Sequence, residues 1–240
     1  MKNLVFLIVL ISIIPSCSFI SKPLNKLKIL DEIKLDIPEP SGITYYKNHL
    51  YIASDNNGLV YKTDLKGKIT KKIPTDFEDL EGVAINNNGE LYVVNESKRS
   101  FIKIELTGET KKKYKIKGNQ KKHNSGLEGA CFYQKNESFY IINESSPKQL
   151  LNITKKGKII EKIDIPFAED LSGICVDESS DELWLVSDES KKIFQISTKG
   201  KLINSYNIAV DKAEGIVINN NKIYVVSDST NKLFVFEKPL

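Results

Sequence analysis

The clearest candidates for chemistry in this sequence are acidic side chains that recur in five similar motifs. Each motif ends in a glycine, and the residues that directly precede the five glycines are Ser41, Glu81, Glu128, Ser172 and Glu214. In the two serine motifs an acid, Glu39 or Asp170, stands two residues before the serine. Residues two apart on an extended strand face the same side. Every motif therefore offers a carboxylate to one surface.

A second acid follows each motif after a short apolar run. A serine or asparagine stands twelve to fourteen residues after each glycine and is followed by an acid, and these acids are Asp55, Glu96, Glu144, Asp188 and Asp228. Two carboxylates about 5 Å apart repel by roughly 3 kcal/mol at an effective dielectric constant near 20. If the fold brings these acids together, they require protons or a cation.

The ligand types indicate which cation would fit. Oxygen ligands without histidine or thiolate suit a hard cation, and a flexible number of carboxylates suits calcium better than magnesium. An alternative stays open at this point, in which the glutamates cap backbone amides between repeats or surround water.

The spacing of the motifs defines a repeat that positions these acids. Five units follow one another with a period of 40 to 47 residues. Each unit contains apolar runs rich in β-branched and aromatic residues, and glycine turns such as Lys66-Gly67 precede a lysine-rich fourth strand. Four short strands in such a unit are typical of a β-propeller blade. We predict an all-β, five-bladed β-propeller that forms one domain.

The ends of the chain predict how the ring closes. The fifth unit lacks a fourth strand, and the segment from Lys28 to Ile37 precedes the first unit as a strand without a partner. We predict that this segment completes the last blade, which leaves no exposed sheet edge. The first strand of each blade lines the channel and the second returns antiparallel. Both sets of acids should therefore meet at one mouth of the channel.

An ordered set of segments carries a family resemblance. The chain contains, in order, Asp76 to Glu81, Gly126 to Gly129, Asp170 to Gly173 and Ala213 to Ile216. This set resembles the SdiA-regulated family of bacterial envelope proteins, which is distantly related to NHL-repeat propellers. The resemblance implies a five-bladed propeller with a calcium site at the acidic mouth. The metal ligands it implies are Glu81, Glu128, Glu214 and Asp170.

The start of the chain predicts export and lipid anchoring. Lys2 and the apolar run from Leu4 to Ile14, too short to span a bilayer, predict a signal peptide over residues 1–16. The segment from Ile14 to Cys17 resembles the bacterial lipobox, in which the cysteine is acylated after cleavage. An ordinary secretory signal with a chance cysteine is the alternative. We expect a lipidated cysteine and tether over residues 17–27 and the propeller over residues 28–240.

The predicted anchor also indicates a location. Ser18, directly after the cysteine, resembles the pattern of lipoproteins sent to the outer membrane. We therefore expect an extracytoplasmic protein of the cell envelope, held on the membrane by its lipid.

Composition limits the classes of partner. With 28% charged and 40% apolar residues, the chain is neither a disordered polyelectrolyte nor a polytopic membrane protein. Its 35 basic residues are 34 lysines and Arg99, whereas base recognition favours arginine, so we expect no nucleic-acid partner. We expect a monomer. Cys131 and Cys175 each follow a motif glycine by two residues, and we expect buried free thiols there.

Two functions remain open from the sequence. One is a lipid-anchored binding or scaffold module with calcium at the channel mouth and an unidentified protein or small-molecule ligand. The other is a calcium-dependent hydrolase of an ester, lactone or phosphate substrate. An enzyme needs an open coordination position on the ion and a general base. The sequence offers His123 as the base, or Glu144, one of the outer acids that follow the apolar runs.

Overall fold

The regular secondary structure of the described residues is almost entirely antiparallel β-sheet. A computed structural model describes residues 25–118 and 126–239, which form twenty strands and one short 3-10 helix at Gln134–Asn136. The strands assemble into five four-stranded sheets. The first strands of successive blades contact one another in a closed ring around the channel. The predicted all-β, five-bladed propeller is therefore confirmed.

The strands are numbered in chain order. Blade 1 contains β2 (Pro40–Tyr46), β3 (His49–Ser54), β4 (Leu59–Thr63) and β5 (Ile69–Pro74). Blade 2 contains β6 (Leu80–Ile85), β7 (Leu91–Asn95), β8 (Ser100–Ile104) and β9 (Thr110–Lys115). Blade 3 contains β10 (Leu127–Tyr133), β11 (Ser138–Asn143), β12 (Gln149–Thr154) and β13 (Ile159–Asp164). Blade 4 contains β14 (Gly173–Asp177), β15 (Glu182–Ser187), β16 (Lys192–Ser197) and β17 (Leu202–Asn207). Blade 5 contains β18 (Ala213–Asn219), β19 (Lys222–Ser227), β20 (Lys232–Glu237) and the N-terminal β1 (Ile29–Lys34).

The ring closes through the N-terminal strand, as predicted. Strand β1 pairs antiparallel with β20, with Lys34 opposite Lys232. The last three residues of the predicted tether also contact the propeller, because the Asn207 amide donates to the carbonyl oxygen of Asn25 at 2.7 Å and Leu27 is buried. The predicted signal peptide, Cys17 and the rest of the tether lie outside the described residues. Within the described ranges, no helix is long and apolar enough to cross a membrane.

The hydrophobic core lies between the blades. Second strands such as β7 and β11 are buried along their whole length, since both of their faces pack against side chains of neighbouring blades. Outer strands such as β9 expose most of their lysines to water. Trp184 in β15 is buried and stacks on Tyr206, with ring centroids 5.6 Å apart. Cys131 and Cys175 are buried free thiols, as predicted.

The motif glycines allow the first strands to converge at the channel. A Cβ on Gly82 would lie 2.8 Å from the carbonyl oxygen of Glu128, and a Cβ on Gly173 would lie 2.4 Å from that of Glu214. A side chain does not fit at either distance, so only glycine permits this approach of neighbouring backbones. The residue before each glycine is thereby held close to the first strand of the neighbouring blade.

Candidate metal centre at the channel mouth

A cavity of about 290 Å³ opens at the end of the channel where the first strands begin and the second strands end. Twelve carboxylates, two serines and one lysine line it. The carboxylates are Glu39, Asp55, Asp79, Glu81, Glu96, Glu128, Glu144, Asp170, Asp188, Glu189, Glu214 and Asp228. Fully ionised, twelve carboxylates against the one ammonium of Lys212 carry a charge of −11.

The structure brings the predicted acids together. The lining includes the four metal ligands implied by the family resemblance and all five outer acids that follow the second strands. The spacing of the motifs therefore identified most of the acidic residues that line the cavity.

Three charged residues of the lining were not predicted. Asp79 and Lys212 occupy the same place as Glu39 and Asp170, two residues before the motif position. The offset that identified the acids of the serine motifs identifies these two residues as well, when it is applied to every blade. Glu189 directly follows an outer acid in a turn, and the repeat contains no signal for it.

A recurring backbone hydrogen bond holds the outer acids over the inner ones. In four blades the backbone amide of the outer acid donates a hydrogen bond across the blade, at 3.0 to 3.2 Å. The acceptor is the carbonyl oxygen of the residue that stands three before the motif glycine. The donor and acceptor pairs are Asp55 with Glu39, Glu96 with Asp79, Glu144 with Gly126, and Asp228 with Lys212. In blade 4 the Asp188 amide instead donates to Ser172 Oγ at 3.3 Å. The repeat thus fixes where each outer carboxylate starts.

Six of the acids form two compact triads between blades. The first comprises Asp55, Asp79 and Glu81, and the second comprises Glu96, Glu128 and Glu144. Within each triad, one carboxylate oxygen from every residue lies within 4.8 Å of the others. At that separation each ionised pair repels by about 3 kcal/mol at an effective dielectric constant near 20. Each triad is a point at which a cation would relieve repulsion from three sides.

Burial makes the charged form of the inner glutamates costly. It raises the pKa of Glu128 well above its usual range, and the charges of Glu81 and Glu96 add to the effect. Burial likewise raises the pKa of Glu81 well above its usual range, with further contributions from Asp55 and Glu214.

Two further glutamates have pKa values near neutral pH. Burial raises the pKa of Glu214 to about 7, although the ammonium of Lys212 opposes the shift. Burial, followed by the charge of Glu96, raises the pKa of Glu144 to about 7. Without a cation, part of the mouth would therefore be protonated at neutral pH.

The second triad contains an oxygen that fits a metal ligand. Glu144 Oε2 is buried, and no hydrogen-bond partner for it exists in the described part of the chain. Beside it, Glu96 Oε1 accepts a hydrogen bond from the Gly126 amide at 2.7 Å. A buried carboxylate oxygen without a partner costs free energy that a bound cation would recover. The donor set, made only of carboxylate oxygens, suits a hard cation such as calcium.

Asp170 differs from the other three predicted ligands. Its oxygens accept hydrogen bonds from Ser187 Oγ, from the Glu189 amide at 3.1 Å and from Ser172 Oγ at 3.2 Å. Asp170 lines the cavity but belongs to neither triad, and the same is true of the predicted ligand Glu214. The contacts of Asp170 match the alternative in which the acids cap backbone amides.

His123, the predicted alternative base, lies outside the described residues.

Comparison with known proteins identifies a family and a fold. A family model described as SdiA-regulated matches residues 24–237. Glutaminyl cyclase from Myxococcus xanthus has a similar structure, with a TM-score of 0.71 and 11% identity over 88% of this chain and 95% of that one. Virginiamycin B lyase from Staphylococcus aureus matches with a TM-score of 0.54 and 17% identity, over 87% and 70% of the two chains. At these identities the likeness to solved structures shows the propeller fold alone.

Proposed function

The chain belongs to the SdiA-regulated family, and we propose that it is a lipid-anchored, extracytoplasmic β-propeller that binds calcium at its channel mouth and acts as a binding or scaffold module. The observation that carries this proposal is the convergence of two carboxylate triads in one cavity. A cation there would neutralise charges that the fold itself has concentrated.

The positions of the triads suggest what the ion does. Asp55 comes from blade 1, whereas Asp79 and Glu81 come from the start of blade 2. In the second triad, Glu96 comes from blade 2 and its partners come from blade 3. A calcium ion in either triad would join two neighbouring blades, and binding to the folded state alone stabilises that state. We therefore expect the ion to stabilise the ring as well as to shape its mouth.

Calcium suits these triads better than magnesium. Calcium accepts six to eight oxygen ligands with flexible geometry, whereas magnesium requires a near-ideal octahedron and usually retains several waters. Each triad consists of carboxylates alone, and it combines residues near strand starts with residues in turns. Ligands from such different elements fit the flexible geometry of calcium better than an octahedron.

Calorimetric titration of metal-free protein with calcium, and separately with magnesium, tests the ion. We expect saturable calcium binding, weaker magnesium binding and a rise in the thermal midpoint with calcium. Glu128→Gln should weaken calcium binding at least tenfold, whereas Glu105→Gln, at an exposed turn outside the cavity, should not. Absence of calcium from the purified protein by elemental analysis, together with an unchanged thermal midpoint, would contradict the proposal.

The lipid anchor is tested separately. Metabolic labelling with a clickable fatty acid should mark the wild-type protein in the membrane fraction, and Cys17→Ser should abolish the label and release the protein from membranes. Cys131→Ser is a matched control, because this cysteine is buried in the propeller. Equal labelling of wild type and Cys17→Ser would refute acylation at this residue. Separation of the inner and outer membranes then tests the predicted destination.

A calcium-dependent hydrolase is a second candidate, and one observation favours it. With the ion held by the first triad, Glu144 would keep its pKa of about 7 and its buried oxygen, which has no partner in the described residues. A general base works best when its pKa is close to the working pH. Activity on an ester, lactone or phosphate panel that requires calcium and is lost in Glu144→Gln would support the enzyme. Unimpaired calcium binding without any turnover would favour the scaffold.

A further inference from the structure

A second cavity, of opposite charge to the channel mouth, lies between blades 2 and 3. It has a volume of about 150 Å³. Its lining residues include the cations Arg99, Lys117 and Lys162 and the amide side chains of Asn143 and Gln149, and no carboxylate of the described residues takes part. The lining therefore carries a charge of +3 from its three cations.

Arg99 is the central feature of this basic cavity. It is the only arginine of the chain and exposes 7% of its surface. Its Nη1 donates to Asn143 Oδ1 at 2.8 Å. The Asn143 amide is itself oriented, since its Nδ2 donates to the carbonyl oxygens of Ser145 at 3.1 Å and Pro147 at 2.8 Å. One corner of the guanidinium is thus fixed by the protein.

The other edge of the guanidinium has an unmet hydrogen bond. Arg99 Nε is buried, and it has no hydrogen-bond partner within residues 25–118 and 126–239. A buried donor without a partner costs free energy, and more when the group is charged. The described protein therefore leaves part of the buried guanidinium unpaired.

Gly118 packs against that edge. A Cβ on this residue would lie 2.5 Å from Arg99 Nη2 and 3.4 Å from Nε. Unlike the turn glycines such as Gly108, Gly118 does not have a left-handed backbone, so chain geometry does not require a glycine here. The absent side chain lets the backbone lie close to the guanidinium, and a methyl group here would displace it.

We propose that the basic cavity binds a tetrahedral oxyanion, phosphate or sulfate, beside the guanidinium of Arg99. A guanidinium presents parallel N–H groups that match two oxygens of such an anion. Lys117 and Lys162 are exposed at the rim and supply two further positive charges. The anion is either free in solution or the phosphate group of a larger molecule, and the volume of the cavity holds one such group.

Calorimetric titration of calcium-free protein with inorganic phosphate, at constant ionic strength set with chloride, tests the proposal. We expect one saturable site, and sulfate should compete for it. Glycerol phosphate, used as a third ligand, distinguishes the two sources. Equal or tighter binding of this ester indicates a phosphate group of a larger molecule, whereas exclusion of the ester indicates the free anion.

Two variants separate binding from folding. Gly118→Ala places a methyl group beside the guanidinium without removing a charge, and should weaken phosphate binding at least tenfold. Lys162→Gln changes an exposed side chain and should weaken binding severalfold, whereas Lys201→Gln, exposed on blade 4, should have no effect. Wild-type phosphate affinity in Gly118→Ala, or no phosphate binding beyond that of chloride, would overturn the proposal. These results do not depend on calcium, since the protein is calcium-free throughout.

Discussion

Metal-free protein should be less stable at pH 8 than at pH 5. Glu214 shows why, because burial raises its pKa from 4.5 to about 7 in the folded state. Between these two values the folded protein binds more protons than the unfolded chain, so the free energy of unfolding falls as pH rises. The stabilisation is complete below about pH 4.5 and is lost as the pH passes about 7.

The size of the effect follows from the same numbers. A step from 4.5 to about 7, at about 1.4 kcal/mol per pKa unit, corresponds to about 3 kcal/mol for Glu214. Glu144 undergoes a similar step but is more open to solvent, so screening reduces its contribution to about 1 kcal/mol. Burial shifts the pKa values of Glu81 and Glu128 in the same direction. We therefore expect a loss of at least about 3 kcal/mol between pH 5 and pH 8.

Urea unfolding at both pH values, with metal-free protein and with saturating calcium, measures this loss. If calcium binds the ionised carboxylates, as proposed, it should stabilise the protein more at pH 8 than at pH 5 and remove most of the difference. Glu214→Gln should reduce the calcium-free difference by about 3 kcal/mol, because it removes the titrating group. If the metal-free wild type is equally stable at pH 5 and pH 8, the carboxylates are not buried without partners and the reasoning fails.

Three further outcomes are expected. Glu128→Gln should not destabilise metal-free protein at pH 8, since it replaces a carboxyl group whose charged form burial disfavours with a neutral amide, and should abolish stabilisation by calcium; a wild-type calcium response in urea unfolding would contradict its role as a ligand. Gly173→Ala should lower the free energy of unfolding by about 1–3 kcal/mol, because its Cβ would lie 2.4 Å from a backbone oxygen of the next blade, and unchanged urea unfolding would contradict this packing. Deletion of residues 1–34 removes β1 and exposes the edge of β20, so size-exclusion chromatography should show association, and a stable monomer would contradict closure by this strand.

The fold could be predicted because the repeat states the same structural requirement five times. A glycine is needed wherever two first strands approach too closely for a Cβ, as at Gly82 and Gly173. That requirement is local, so it leaves a visible mark in the sequence at a regular period. Closure by β1 followed from counting strands, since the last blade was one strand short.

The grouping of acids at the mouth could not be predicted in the same way. Spacing places a residue on a strand, but the position of its carboxylate depends on rotamers and on contacts across blades. Asp170 is occupied by Ser187 and the Glu189 amide, whereas Asp79 joins a triad. Arg99 stood out in the sequence only as the single arginine. Its buried Nε has no partner among the described residues, and its position depends on Gly118 and Asn143, which the repeat does not connect.

The geometry of a propeller explains why a protein with a net charge of +4 has a channel mouth lined by twelve carboxylates. First strands converge on the axis, so any residue type at a repeated position near their starts is brought together five times over. Outer strands diverge from the axis, and the exposed lysines of β5 and β9 are spread along the perimeter of the ring. Like charges at the perimeter are screened by water over distances comparable to the Debye length, about 8 Å at physiological salt. Repulsion at the mouth is not screened in this way, and so protons or a cation must relieve it there.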